Sequence, residues 1–109
     1  MSDPAGRPEL SVSHGVIVEV ARRAALEVPD VVRVARGGPL LQRILLGSPI
    51  RVHVRNGVVD VRVWFIARPG VDLIATAERV RSTVAAAMQR LLGLGLGTVT
   101  VYVDGVGQR

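Results

Sequence analysis

Residues 50–66 read I-R-V-H-V-R-N-G-V-V-D-V-R-V-W-F-I, and this stretch decides the fold. Asn56-Gly57 stands between two runs of alternating apolar residues. A two-residue type I′ turn needs positive φ at both central positions, which these two residues tolerate, so the pair predicts a β-hairpin. The turn also fixes the register. Arg55 faces Val58, Val54 faces Val59, His53 faces Asp60, Val52 faces Val61, Arg51 faces Arg62 and Ile50 faces Val63. One face is then almost entirely valine and isoleucine, while the other gathers Arg51, His53, Arg55, Asp60, Arg62 and Trp64. Arginine directly opposite arginine costs stability unless an acidic group answers it, so this second face points to a partner.

Downstream, Arg68-Pro69-Gly70 breaks the chain and Asp72 is an N-cap. Ala77, Val80, Val84, Ala87, Met88 and Leu91 recur at helical spacing, and Gly93 ends that helix by taking the left-handed conformation. Residues 98–104 form a last strand with Val99, Val101 and Val103 inward and Thr98, Thr100 and Tyr102 outward, and residues 105–109 fray. Upstream, Ser13 caps a helix whose stripe is Ile17, Val20, Ala21, Ala24, Ala25 and Val28 and which stops at Pro29. Residues 31–36 form a short strand with Val32 and Val34 on one face and Arg33 and Ala35 on the other. The apolar segment Leu40–Leu46, L-L-Q-R-I-L-L, lies between Gly37-Gly38-Pro39 and Gly47-Ser48-Pro49. It reads as a short helical turn that lids the core, with an exposed docking element as the alternative.

Two helical stripes and four half-apolar strands bury their apolar faces together if both helices cover one side of the sheet. The predicted fold is α+β, a two-layer sandwich with two helices packed on one face of a four-stranded mixed sheet. Val52, Val54, Val61, Val63, Val99 and Val101 lie beneath the helices, and Arg51 and Arg62 stay accessible. Residues 1–8 form a disordered leader, 9–106 a single domain and 107–109 a frayed tail.

A chain of 109 residues with 49% apolar content buries a core without help from metals or disulfides. It has no cysteine, which excludes disulfides, thiolate metal sites and cysteine nucleophiles. No apolar run reaches the roughly 18 residues of a membrane span, and the expectation is a cytoplasmic protein. All 14 basic residues are arginine, and the net charge of +5 attracts nucleic acid, anionic headgroups or acidic proteins alike. Three aromatic residues, Trp64, Phe65 and Tyr102, are too few for an extensive base-stacking platform.

Candidate chemistry is sparse. Gly93-Leu94-Gly95-Leu96-Gly97 follows a helix and precedes a strand, the reverse of a phosphate-binding loop, and reads as a connector. His53 and Asp60 face each other as a cross-strand ion pair; no convincing nucleophile or oxyanion donor accompanies them. Two histidines without clustered carboxylates offer too few metal ligands, so no metal, cofactor or catalytic residue is expected. The outer sheet face, with Arg51, His53, Arg55, Arg62 and Trp64 as candidate partner-binding residues, is either a contact surface or a solvated face whose arginine stems cover Trp64.

Two segments carry a family resemblance. Residues 10–34, L-S-V-S-H-G-V-I-V-E-V-A-R-R-A-A-L-E-V-P-D-V-V-R-V, resemble the opening of the alkaline shock protein family: an I-x-I-S strand start, a V-I-x-x-I-A helix and an E-V-x-G-V exit. Val99-Thr100-Val101-Tyr102-Val103-Asp104-Gly105-Val106 is similar to its closing V-N-V-x-V-x-G-V. Asp30, Thr100 and Ala67-Arg68-Pro69-Gly70 depart from the usual glycine, asparagine and Tyr-Gly. The resemblance spans residues 9–106. It implies a non-enzymatic envelope stress response protein of mainly Gram-positive bacteria, with no catalytic residues to carry over. It further implies a scaffold or interaction module that self-associates as a homo-oligomer and binds a membrane-linked partner such as a separate anchor protein, so that it sits peripheral to the membrane. A nucleic-acid-binding module using the arginine-lined sheet face is the other reading. No GXXG clamp and no paired aromatics of an RNA-recognition sheet accompany that face.

Overall fold

A computed structural model describes residues 12–107; the expected leader at 1–8 and residues 108–109 of the tail lie outside them. The elements run α1 (His14–Leu26), β1 (Val31–Val34), α2 (Leu40–Leu46), β2 (Ile50–Arg55), β3 (Val58–Ala67), α3 (Leu73–Leu92) and β4 (Leu96–Val106), with a 3-10 turn at Gly93–Gly95 between the last two. Among the described residues the fold is α+β, with three α-helices and a four-stranded sheet.

The Asn-Gly turn sets the sheet. Asn56 has φ of 53° and Gly57 of 77°, and every cross-strand partnership from Ile50↔Val63 to Arg55↔Val58 is the one that turn dictates. The long strand β3 is the centre of the sheet. β1 and β2 both pair antiparallel with it, β1 at residues 65–67 and β2 at residues 58–63, so they lie end to end along one edge. The chain leaves that line at Ala35, whose N–H donates to Trp64 O at 3.2 Å, and rejoins it at Pro49, whose carbonyl accepts from Trp64 N at 2.8 Å. Residues 36–48, including α2, are thus an excursion from a single edge. β4 runs parallel to β3 along the other edge, aligning Arg62 with Thr100 and Trp64 with Tyr102.

Ser13 and Asp72 cap α1 and α3, accepting from Val16 N and Ala75 N. Ile17, Ala21, Ala24 and Ala25 of α1 and Val80, Val84, Ala87 and Met88 of α3 share one buried cluster with Val59, Val61, Val63 and Phe65 of β3. Thr76, fully buried in α3, donates its hydroxyl to Asp30 Oδ2 at 3.2 Å, tying α3 to the turn before β1.

Four expectations are corrected. Val61 and Val63 are fully buried and Val52, Val99 and Val101 pack against the core, but Val54 is 61% exposed. It sits near the hairpin tip, beside an open hollow bounded by Ile17 and Leu91 rather than beneath a helix. In β1 a bulge between Val31 and Arg33 breaks the two-residue alternation, so Val31 rather than Val32 shares the core with Val34. β4 continues to Val106, and Gly107 N still donates to Ala67 O at 3.0 Å, so the strand does not fray at residue 105. Finally, Leu40–Leu46 is helical but buries none of its residues, so it does not lid the core. Two glycines, at 38 and 47 with φ of 91° and 89°, bracket it and swing it out of the sheet edge.

Candidate functional site

The face of β2 and β3 turned from the core carries Arg51, Arg55 and Arg62 in exposed positions with His53. Together with Asp60, Thr98 and Thr100 they line a concavity of about 560 Å³. Arg51 and Arg62 are direct partners, as the register requires. Arg51 Nη2 donates to the Leu46 carbonyl at the end of α2, at 2.9 Å. Among the described residues no carboxylate forms an ion pair with Arg51 or Arg62. Of the like-charge pair, Arg51 is thus tied to a helix terminus, while Arg62 is exposed.

Asp60 does not pair with His53 as the register suggested. Its Oδ1 accepts from Thr98 N at 2.8 Å and from the Thr98 hydroxyl at 3.0 Å, and its Oδ2 lies 3.3 Å from Arg55 Nη2. The parallel strand β4, brought alongside β3, supplies two donors that a hairpin alone cannot offer. These two hydrogen bonds from Thr98, backbone first, pull the Asp60 carboxyl below its usual range against a partial desolvation, with Arg55 and His53 adding charge attraction. Gly97 is what lets β4 approach, since a Cβ there would overlap the Asp60 carboxylate and the Val58 side chain.

Trp64 is committed within the molecule. Its ring stacks on Tyr102, with centroids 4.7 Å apart and planes 14° apart, and Arg36 Cζ lies 4.2 Å from its centroid. The Arg36 Nε is 3.5 Å from Asp104 Oδ2, which also accepts the Gly37 N–H at 2.6 Å. The arginine stem covering Trp64 exists, but it belongs to Arg36, a residue that sequence reasoning left unassigned. Asp104 was legible, since it keeps the parity of Thr98, Thr100 and Tyr102. Arg36 was not, because the strand expected over 31–36 ends at Val34, and beyond it strand alternation no longer sets direction.

Four of the five candidate residues thus share the concavity, and Trp64, stacked on Tyr102, is not part of its lining. Guanidinium groups over an open groove recognise carboxylate or phosphate by paired hydrogen bonds. Among the described residues no three His, Asp or Glu side chains gather as a metal would require.

Solved structures similar to this chain carry the same fold at low identity. A MamM CTD in a copper form matches with a TM-score of 0.56 at 14% identity, over 84% of this chain and 85% of the other. A zinc form of a MamM CTD variant matches with a TM-score of 0.54 at 15% identity, over 87% of this chain and 85% of the other. No curated protein matches the chain. A family model described as the alkaline shock protein 23 family, cell envelope-related function, matches residues 2–108, nearly all of the sequence, and the chain belongs to that family.

Proposed function

We propose that this protein is a non-enzymatic interaction module of the cell envelope, acting by self-association and by capture of a membrane-linked protein through the open face of the sheet. Its two-layer arrangement, with α1 and α3 on one side, leaves that face free to bind. One observation carries the reading: Arg51 and Arg62 stand side by side on an exposed sheet, with the neighbouring acid, Asp60, already engaged by Thr98 and Arg55. An acidic partner surface supplies the carboxylates this pair lacks. The family's envelope-related description fits such a partner. Trp64 and Tyr102 are stacked on each other rather than offered to bases, which weighs against the nucleic-acid reading.

Self-association falls to a different surface, because two copies of a cationic face repel. An apolar groove runs between α3 and β4, lined by Leu73, Ile74, Ala77, Val99 and Val101, with Ile74 81% exposed. Its place at a sheet edge suits a second copy of the chain.

The test is capture of membrane-fraction protein by the wild type and by Arg51→Ser with Arg62→Ser, alongside titration of both with a single-stranded oligonucleotide. A membrane-linked protein held by the wild type and lost by the variant supports the reading. Tight oligonucleotide binding that falls steeply with salt and is lost in the variant replaces it with the nucleic-acid module.

A further inference from the structure

We propose that α2 and the two hollows beside it seat on the anionic phospholipid surface of a membrane. Leu41, Ile44 and Leu45 enter the acyl boundary, while Arg36 and Arg43 hold headgroup phosphate.

The apolar half of the argument is the helix itself. Leu40, Leu41, Ile44 and Leu45 are 64%, 69%, 65% and 77% exposed, and none of the residues of α2 is buried. Their spacing places them along one side of the helix. Held outside the sheet edge, α2 has no place in the folding of the core, so this apolar side is not explained by stability.

The polar half lies next to it. Beneath α2 is an apolar hollow of about 270 Å³ bounded by Val34, Leu40, Ile44 and Pro49; adjoining it is a polar hollow of about 260 Å³ bounded by Arg33, Gly38 and Asp104. Arg36 and Arg43 line both and so form their common wall. The Nε atoms of these two side chains are buried and, among the described residues, have no hydrogen-bond partner. Arg36 is 11% exposed, and its Nε stands 3.5 Å from Asp104 Oδ2, close enough for charge attraction without a hydrogen bond. A buried guanidinium N–H without an acceptor is costly, and a side-chain shift that turns either arginine toward a phosphate oxygen in the adjoining hollow removes that cost.

The charge pattern selects the occupant. The two hollows beside α2 are lined by three arginines, Arg33, Arg36 and Arg43, against a single acid, Asp104, which is already engaged by the Gly37 N–H and Arg36. A free phosphate would use the polar hollow alone and leave the leucines in water. An anionic lipid surface uses the cationic rim, the arginine wall and the apolar tip together, which is the pattern of interfacial binding.

The experiment is co-sedimentation with vesicles of phosphatidylcholine and of phosphatidylcholine mixed with phosphatidylglycerol. Trp64, the single tryptophan, supplies a fluorescence readout because Arg36 lies over its ring. The mixed vesicles are expected to bind the protein and shift its emission, with binding that falls with salt; neutral vesicles bind little. Leu41→Asn with Leu45→Asn is expected to lower affinity for the mixed vesicles by about tenfold or more. Those two side chains are exposed, so the melting temperature should hold. Arg33→Gln, also at an exposed position, should weaken binding and flatten its salt dependence. Absence of binding to the mixed vesicles overturns the proposal. So does binding indifferent to the leucine pair together with equal affinity for glycerol phosphate, which marks a small-anion site. If the leucine pair instead lowers the sedimentation coefficient and leaves vesicle binding intact, α2 meets a second copy and the lipid proposal falls.

Discussion

Asp60 sits among three arginines and a histidine, yet its role is to bind its own chain: Thr98 holds one oxygen and Arg55 the other. Because the folded carboxyl titrates below its unfolded value, its contribution to stability is complete above the ordinary aspartate range, near about 4, and disappears as pH falls through the folded value. Asp60→Asn should therefore be less stable than the wild type at neutral pH and lose less on acidification. Melting temperatures of both proteins from pH 7 down to acid check this. Parallel curves would mean that Asp60 titrates alike in both states. Gly97→Ala tests the same contact from the other side. A methyl group driven against the Asp60 carboxylate should cost about 1–3 kcal/mol. The cross-strand position of Asp60 was legible from the hairpin, but its partner was not, since Thr98 arrives from a strand 38 residues later. In the same way the face of Trp64 was legible, and the arginine lying over it was not.

At the scale of elements, the strength of the Asn56-Gly57 signal explains why the whole β2–β3 register follows from sequence. Caps were equally readable, because Ser13 and Asp72 act on neighbours three residues away. Ser13→Ala and Asp72→Ala should each cost about 1 kcal/mol in chemical denaturation. What escaped were features set by tertiary geometry: the bulge in β1, the exposed end of the hairpin and the excursion of residues 36–48. An apolar run such as Leu40–Leu46 predicts burial on composition alone, and here the glycines on either side place it outside the core. Phe65 marks the contrast. It is fully buried where β3 pairs with both β1 and β4. Phe65→Ala should cost about 3–5 kcal/mol, a large share of the stability of a domain this size. A loss below about 1 kcal/mol would mean that the core collapses around the site.

For the whole molecule, the distribution of charge decides which surfaces can meet. A twofold dimer sets each surface against its own copy, so a face bearing Arg51, Arg55 and Arg62 repels itself unless anions intervene. The two proposed activities therefore separate by surface and by salt. Capture of an acidic partner should weaken as salt rises, and Arg51→Ser with Arg62→Ser should reduce it by about 2 kcal/mol or more, roughly thirty-fold, if these are central anchors. Self-association through the α3–β4 groove buries apolar surface and should be unchanged or strengthened by salt. Ile74→Glu places a charge in that groove at a position 81% exposed in the single chain, so it should lower the sedimentation coefficient without altering the fold or partner capture. Sedimentation and capture measured on both variants across a salt series give the decisive comparison. Loss of self-association in the arginine variant, with Ile74→Glu silent, would place the copies on the open face and sink the division of labour argued from its charge.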